Sequence, residues 1–125
     1  MRFRAKFSQE NTILLISVSN LLERIGKAAI FFLTEEFIRI AVVTENSDLP
    51  KLFCELKSTN ICQEYRIESQ SGNSILFEIG ITHLSGALLA GKNAPMCQLK
   101  LVKRNERPFL CFESRVSMCV SLYPV

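Results

Sequence analysis

The opening of the chain constrains the fold more than any other stretch. MRFRAKF alternates apolar and basic residues, and a helical pattern follows it directly, leading into the apolar run AAIFFLT. In an extended strand Phe3, Ala5 and Phe7 fall on one face and Arg2, Arg4 and Lys6 on the other. The next segment carries Leu14, Val18, Leu21 and Ile25 at four-three-four spacing, which predicts an amphipathic helix with that stripe inward. Ser17, Asn20, Arg24 and Lys27 collect on another side of the same helix. A helix that packs on a sheet and turns small polar and basic groups outward can lie along a phosphate backbone without reading bases.

The rest of the chain continues in short strands. Ser8 or Asn11 can start the helix and Gly26 can end it. Ala28–Thr34 and Glu36–Thr44 read as a tight hairpin, and Asn46, Ser47, Asp48 and Pro50 mark a turn before a strand at Lys51–Lys57. Ser58–Ile61 reads as a connector, followed by an extended piece around Tyr65 and Ile67 and a turn at Ser71-Gly72-Asn73. Ile75, Phe77 and Ile79 then share one face of a strand. Thr82 is expected to cap a second helix running to Ala90 or Gly91, with Leu84, Ala87 and Leu88 inward. Strands at Met96–Lys103 and Arg107–Ser114 follow, joined by the turn Arg104-Asn105-Glu106. Strand–helix–strands thus occurs twice, from Met1 and again from Ser74. Two such units would pack two helices side by side on a curved antiparallel sheet, an α+β architecture.

Composition narrows the chemistry. At 125 residues, 48% of them hydrophobic, the chain has the makings of a folded domain. Its net charge of +3 is too small to establish nucleic-acid binding by itself, so the distribution of the basic groups decides. Five cysteines, no CxxC pair and a single histidine, His83, do not make a zinc site. Cys54, Cys97 and Cys111 sit in apolar strand-like segments, where a reduced thiol packs as a small hydrophobe. His83 with Cys62 or Cys97 lacks the activating and orienting partners of a cysteine–histidine enzyme. The glycines have no phosphate-loop spacing. No apolar run reaches the length needed to span a bilayer and no signal peptide is evident, so a soluble intracellular protein is expected.

Five segments in this order carry a resemblance: MRFRAK at Met1–Lys6, SNLLERIGKAA at Ser19–Ala29, FCEL at Phe53–Leu56, EYRIES at Glu64–Ser69 and LSGALLAGKNA at Leu84–Ala94. Over Met1 to Ser114 the chain resembles the Hus subunit family of the checkpoint sliding clamp, the ring related to proliferating cell nuclear antigen. The resemblance implies a DNA-clamp domain with antiparallel sheets and two helices on the inner face. It implies a non-catalytic subunit of a heterotrimeric DNA-damage checkpoint clamp, which encircles double-stranded DNA in the nucleus and recruits checkpoint and repair factors. The implied partners are two related clamp subunits, a clamp loader and duplex DNA held by non-specific backbone contact, with no cofactor, metal or membrane. Carried over by position, Asn20, Arg24 and Lys27 match the DNA-facing side of the first helix, and Lys92 follows the second.

The chain departs from the family pattern in two places. Gly86 and Leu89 stand where the second helix often carries basic residues. Beyond Ser114 the sequence VSMCVSLYPV replaces an aspartate-rich continuation into a second domain. The expectation is therefore a clamp domain over 1–114, an atypical tail over 115–125 and no second clamp domain. The alternative is a truncated interaction module that binds a clamp partner without encircling DNA.

Overall fold

The computed structural model describes residues 2–43, 50–70 and 72–123. The opening strand β1 (Arg2–Ser8) leads into helix α1 (Gln9–Glu23). A meander follows, β2 (Ala28–Leu33), β3 (Phe37–Val43) and β4 (Pro50–Lys57), then the one-turn helix α2 (Ser58–Ile61) and strand β5 (Glu64–Glu68). The second unit is β6 (Ile75–Gly80), α3 (Ile81–Ala90) and a meander of β7 (Met96–Arg104), β8 (Arg107–Glu113) and β9 (Ser117–Ser121). The turn expected around Asn46 lies outside the described residues.

The two units exchange their leading strands. One sheet has the order β5-β1-β7-β8-β9 and the other β4-β3-β2-β6. β1 therefore pairs antiparallel with β7 of the second unit, and β6 pairs antiparallel with β2 of the first. Each long helix leaves one sheet and delivers the chain to the other, α1 from β1 to β2 and α3 from β6 to β7. The pleat decides which side is buried. Phe3, Ala5 and Phe7 of β1 and Ile75, Phe77 and Ile79 of β6 are all buried, as their alternation predicts. Phe31 and Phe77 stand opposite each other across β2 and β6 with ring centroids 5.2 Å apart. Each fully buried side chain of this kind stabilises the fold by about 1.5–3 kcal/mol.

Helix α1 turns a different face to the core from the one its apolar spacing predicts. The buried residues are Thr12, Leu15, Ile16, Ser19 and Leu22, whereas Leu14 and Leu21 are 43% and 50% exposed. Two buried hydroxyls hide this stripe from a hydropathy reading. Both are satisfied on the helix itself, Thr12 Oγ1 donating to the Ser8 carbonyl at 2.9 Å and Ser19 Oγ to the Ile16 carbonyl at 2.8 Å. Ser8 is the N-cap, its Oγ accepting from the Asn11 N–H at 3.3 Å. At α3 the expected Thr82 cap is replaced by Gly80, which offers no side chain, and Thr82 lies inside the first turn. Leu84, Ala87 and Leu88 are buried as expected, joined by Ile81.

The region expected to be a tail after Ser114 takes part in the fold. β9 pairs in register with β8 from Phe109↔Ser121 to Glu113↔Ser117. Beyond it Tyr123 exchanges two 2.9 Å backbone hydrogen bonds with Glu78 on β6, so this segment ties one sheet to the other. Cys111, expected as a reduced thiol, is joined by a disulfide to Cys119, its cross-strand neighbour on β9. The β7–β8 turn is a two-residue loop with positive φ at Asn105 (51°) and Glu106 (64°), the backbone of a type I′ hairpin.

The corrected phase of α1 has a direct test. Leu22→Ala opens a hole at a fully enclosed position and is expected to cost about 2–5 kcal/mol of unfolding free energy. Leu21→Ala, at an exposed neighbour, should stay within about 0.5 kcal/mol of the parent. Urea denaturation followed by circular dichroism measures both, and the reverse order would restore the Leu14–Leu21 phase.

Candidate nucleic-acid interface

Two backbone-anchored contacts set the helices side by side and antiparallel. At one end the Gln9 side-chain amide donates to the Lys92 carbonyl at 3.3 Å, joining the start of α1 to the exit of α3. At the other the Ile81 N–H donates to the Lys27 carbonyl at 2.9 Å, joining the exit of α1 to the start of α3. Beneath them Leu15 and Leu22 of α1 and Leu84 and Leu88 of α3 close over Phe7 and Phe31, leaving an apolar cavity of about 30 Å³. The opposite side of the pair is open to solvent. Ser17 and Asn20 of α1, its C-cap Arg24, and Thr82, Gly86 and Leu89 of α3 are all exposed there.

The four residues singled out from the sequence are all exposed but do not form one cluster. Asn20 lies in the last turn of α1, Arg24 is its C-cap and Lys27 follows three residues later. Lys92 lies beyond the other end of the pair, next to the start of α1. A fifteen-residue helix is about 22 Å long, so the Lys92 end is roughly that far from the Arg24 end. The arrangement offers two small basic points at opposite ends of a largely neutral surface. The negative end of the α1 dipole opposes anions near Arg24, and the adjoining positive end of α3 offsets it. Gly86 has open space where a side chain would project, and Leu89 is 57% exposed.

Sequence reasoning missed the apolar part of this surface. Leu14, Leu21 and Leu89 are exposed on it, and only knowledge of the buried hydroxyls at Thr12 and Ser19 would have assigned them outward. The thiols are placed for packing. Burial pushes Cys62 up to about 12 and Cys97 up to about 11, and it raises Cys54 as well. Thiols so placed stay protonated and poorly nucleophilic at neutral pH. His83 is exposed on α3 while Cys97 is buried. Among the described residues no group of three His, Cys, Asp or Glu side chains could hold a metal ion, and no helix is long and apolar enough to cross a membrane.

A family model, Hus1-like protein, matches residues 1–121. The chain belongs to the Hus1-like family. This match runs through β9 to its last residue. A curated relative, the checkpoint protein hus1 homolog of Dictyostelium discoideum, is 32% identical over 88 residues, covering 70% of this chain and 32% of the relative. The crystal structure of PCNA from Thermococcus kodakaraensis superimposes with a TM-score of 0.69 at 15% identity, covering 98% of this chain and 46% of the PCNA chain. That likeness is one of fold, and it makes the α+β architecture a clamp fold. The Hus1-like chain thus spans about a third of the curated relative and just under half of the PCNA chain.

The raised Cys62 thiol carries a pH dependence of stability. Its folded pKa lies above the ordinary 9.0, so its contribution is fully present below pH 9.0 and drains away as pH climbs toward about 12. Burial raises the nearby Tyr65 hydroxyl in the same direction, with the Cys62 charge adding to it. The melting temperature is expected to fall more steeply across that window in the parent than in Cys62→Val. A thiol reagent near neutral pH should label half-buried Cys62 more slowly in the native than in the denatured chain, and equal rates would contradict the assignment.

Proposed function

We propose that this chain forms one domain of a non-catalytic subunit of the heterotrimeric DNA-damage checkpoint clamp. The ring encircles double-stranded DNA in the nucleus, and once placed there by its loader it recruits checkpoint and repair factors. The observation that carries this reading is the antiparallel α1–α3 layer, with Asn20, Arg24, Lys27 and Lys92 all exposed and the core entirely on its other side. The chain covers just under half of the PCNA chain, so the reading is made for one clamp domain.

DNA contact in this reading is weak and independent of sequence. Three neutralised phosphates give a slope of about −2.7 in log K against log salt, since each contributes about −0.9. A ring needs no more, because topology retains it while weak contacts let it slide. Ring contacts come from sheet edges: β9 ends one sheet and β4 the other, and each leaves a row of backbone groups open to a neighbouring strand. The raised thiols of half-buried Cys62 and buried Cys97 leave little thiolate at neutral pH, which supports a non-catalytic reading.

Two measurements test the reading. Arg24→Glu with Lys27→Glu is expected to flatten the salt slope by about two contacts' worth in an anisotropy titration with duplex DNA. Gly86→Arg should steepen the slope by about 0.9, because the space for the side chain is already open. No response to either change would remove the helix layer from DNA binding. Co-expression with two related clamp subunits should give a single complex on size-exclusion chromatography, and persistent separation would argue against a ring subunit.

A further inference from the structure

The outward face of the first sheet, on the side away from the helices, carries an arrangement that the clamp reading does not use. The register sets Arg4 of β1 directly opposite Arg66 of β5 on one side and Lys100 of β7 on the other. Three cations therefore stand abreast on neighbouring strands, and like charges placed this way destabilise a sheet. Arg2 lies two residues before Arg4 on the same face, about 6.8 Å along the strand. These four side chains line one open groove of about 370 Å³.

The available carboxylates do not neutralise the row. Glu64 is shared between Lys6 at 3.3 Å and Arg66 at 3.9 Å, and Glu113 is taken by Lys100 at 2.7 Å. Among the described residues Arg2 and Arg4 have no ion-pair partner, and the Arg66 side chain is 81% exposed. Glu68 also lines the groove, directly opposite Arg2 across β1 and β5, so the three guanidiniums, Arg66 only loosely engaged, outnumber one groove carboxylate.

We propose that this groove is a docking site for a phosphorylated segment of a partner protein, with one phosphate seated between Arg2, Arg4 and Arg66. Guanidinium forks match phosphate oxygens in pairs, and a phosphate's charge near −2 at neutral pH balances what Arg2, Arg4 and Arg66 hold together once Glu68 is counted. Clustered arginines are the recurring device for recognising phosphorylated motifs. A nucleic-acid strand fits this face less well. Glu64, Glu68 and Glu113 are interleaved with the cations and would repel a continuous polyphosphate. The groove also lacks a platform for bases, since its one aromatic, Phe3, is 5% exposed and packed edge-on against Tyr65.

The test titrates the whole chain against a short fluorescein-labelled peptide with one central phosphoserine, its unphosphorylated twin, and a single-stranded oligothymidine of similar length. The phosphopeptide is expected to bind at least about tenfold tighter than the twin. Arg4→Ala and Arg66→Ala should each remove most of that preference, and Arg4→Lys should fail to restore it because an ammonium cannot make the paired contact. Both sites are exposed, and an unchanged circular dichroism melt confirms that the variants fold. Equal binding of the two peptides, a phosphopeptide preference that survives these substitutions, or tighter binding of the oligothymidine lost in the same variants would each overturn the proposal.

Discussion

Everything in this fold depends on the exchange of leading strands between its two halves. β1 completes the sheet built by the second meander, and β6 completes the one built by the first. Neither three-stranded meander is finished by its own unit, so the halves cannot separate without breaking ladder hydrogen bonds in both sheets. The exchange also dictates where the helices go. A chain that ends in one sheet and must begin again in the other has to cross the gap between them, once in each direction. The two crossings are α1 and α3, and their antiparallel packing follows from that route. Its two ends are fastened where Gln9 meets Lys92 and where Ile81 meets Lys27.

The strands were largely legible because their period is two. In β1 and β6 every second residue is apolar and buried, and the twice-repeated order of elements is visible without coordinates. The phase of α1 was not legible. Two stripes compete on that helix, one of Leu14, Val18, Leu21 and Ile25, the other holding Thr12 and Ser19 among its leucines. Hydropathy favours the first. The second is buried because its hydroxyls bond to carbonyls one turn back, which removes the cost of taking them out of water. The outward placement of Asn20 and Arg24 survives this correction, because both lie outside either stripe. The cap of α3 and the pairing of Ser117–Ser121 are hidden from the sequence for a related reason. Neither depends on its own residues alone, since the Lys27 carbonyl and the β8 ladder supply the partners.

The charge distribution has an uneven logic. The helix layer is nearly neutral, with basic groups at its two ends, Gly86 on the exposed side of α3 and exposed leucines between. The sheet surface on the opposite side holds the denser set, in which Arg2, Arg4, Lys6, Arg66 and Lys100 are only partly answered by Glu64, Glu68 and Glu113. A total of +3 conceals this division. A weak field on one side and a focused one on the other give the two surfaces unequal pull on an anion.

The two bonds between Tyr123 and Glu78 reach further than their number implies. β6 is an outermost strand of its sheet, with Ile75, Phe77 and Ile79 beneath it and Leu76 outside, a pattern that invites another copy to stack alongside. The segment leaving β9 occupies that invitation at its middle. The segment after β9 thereby acts as a doorstop, blocking the middle of an adhesive border against intermolecular β-sheet growth.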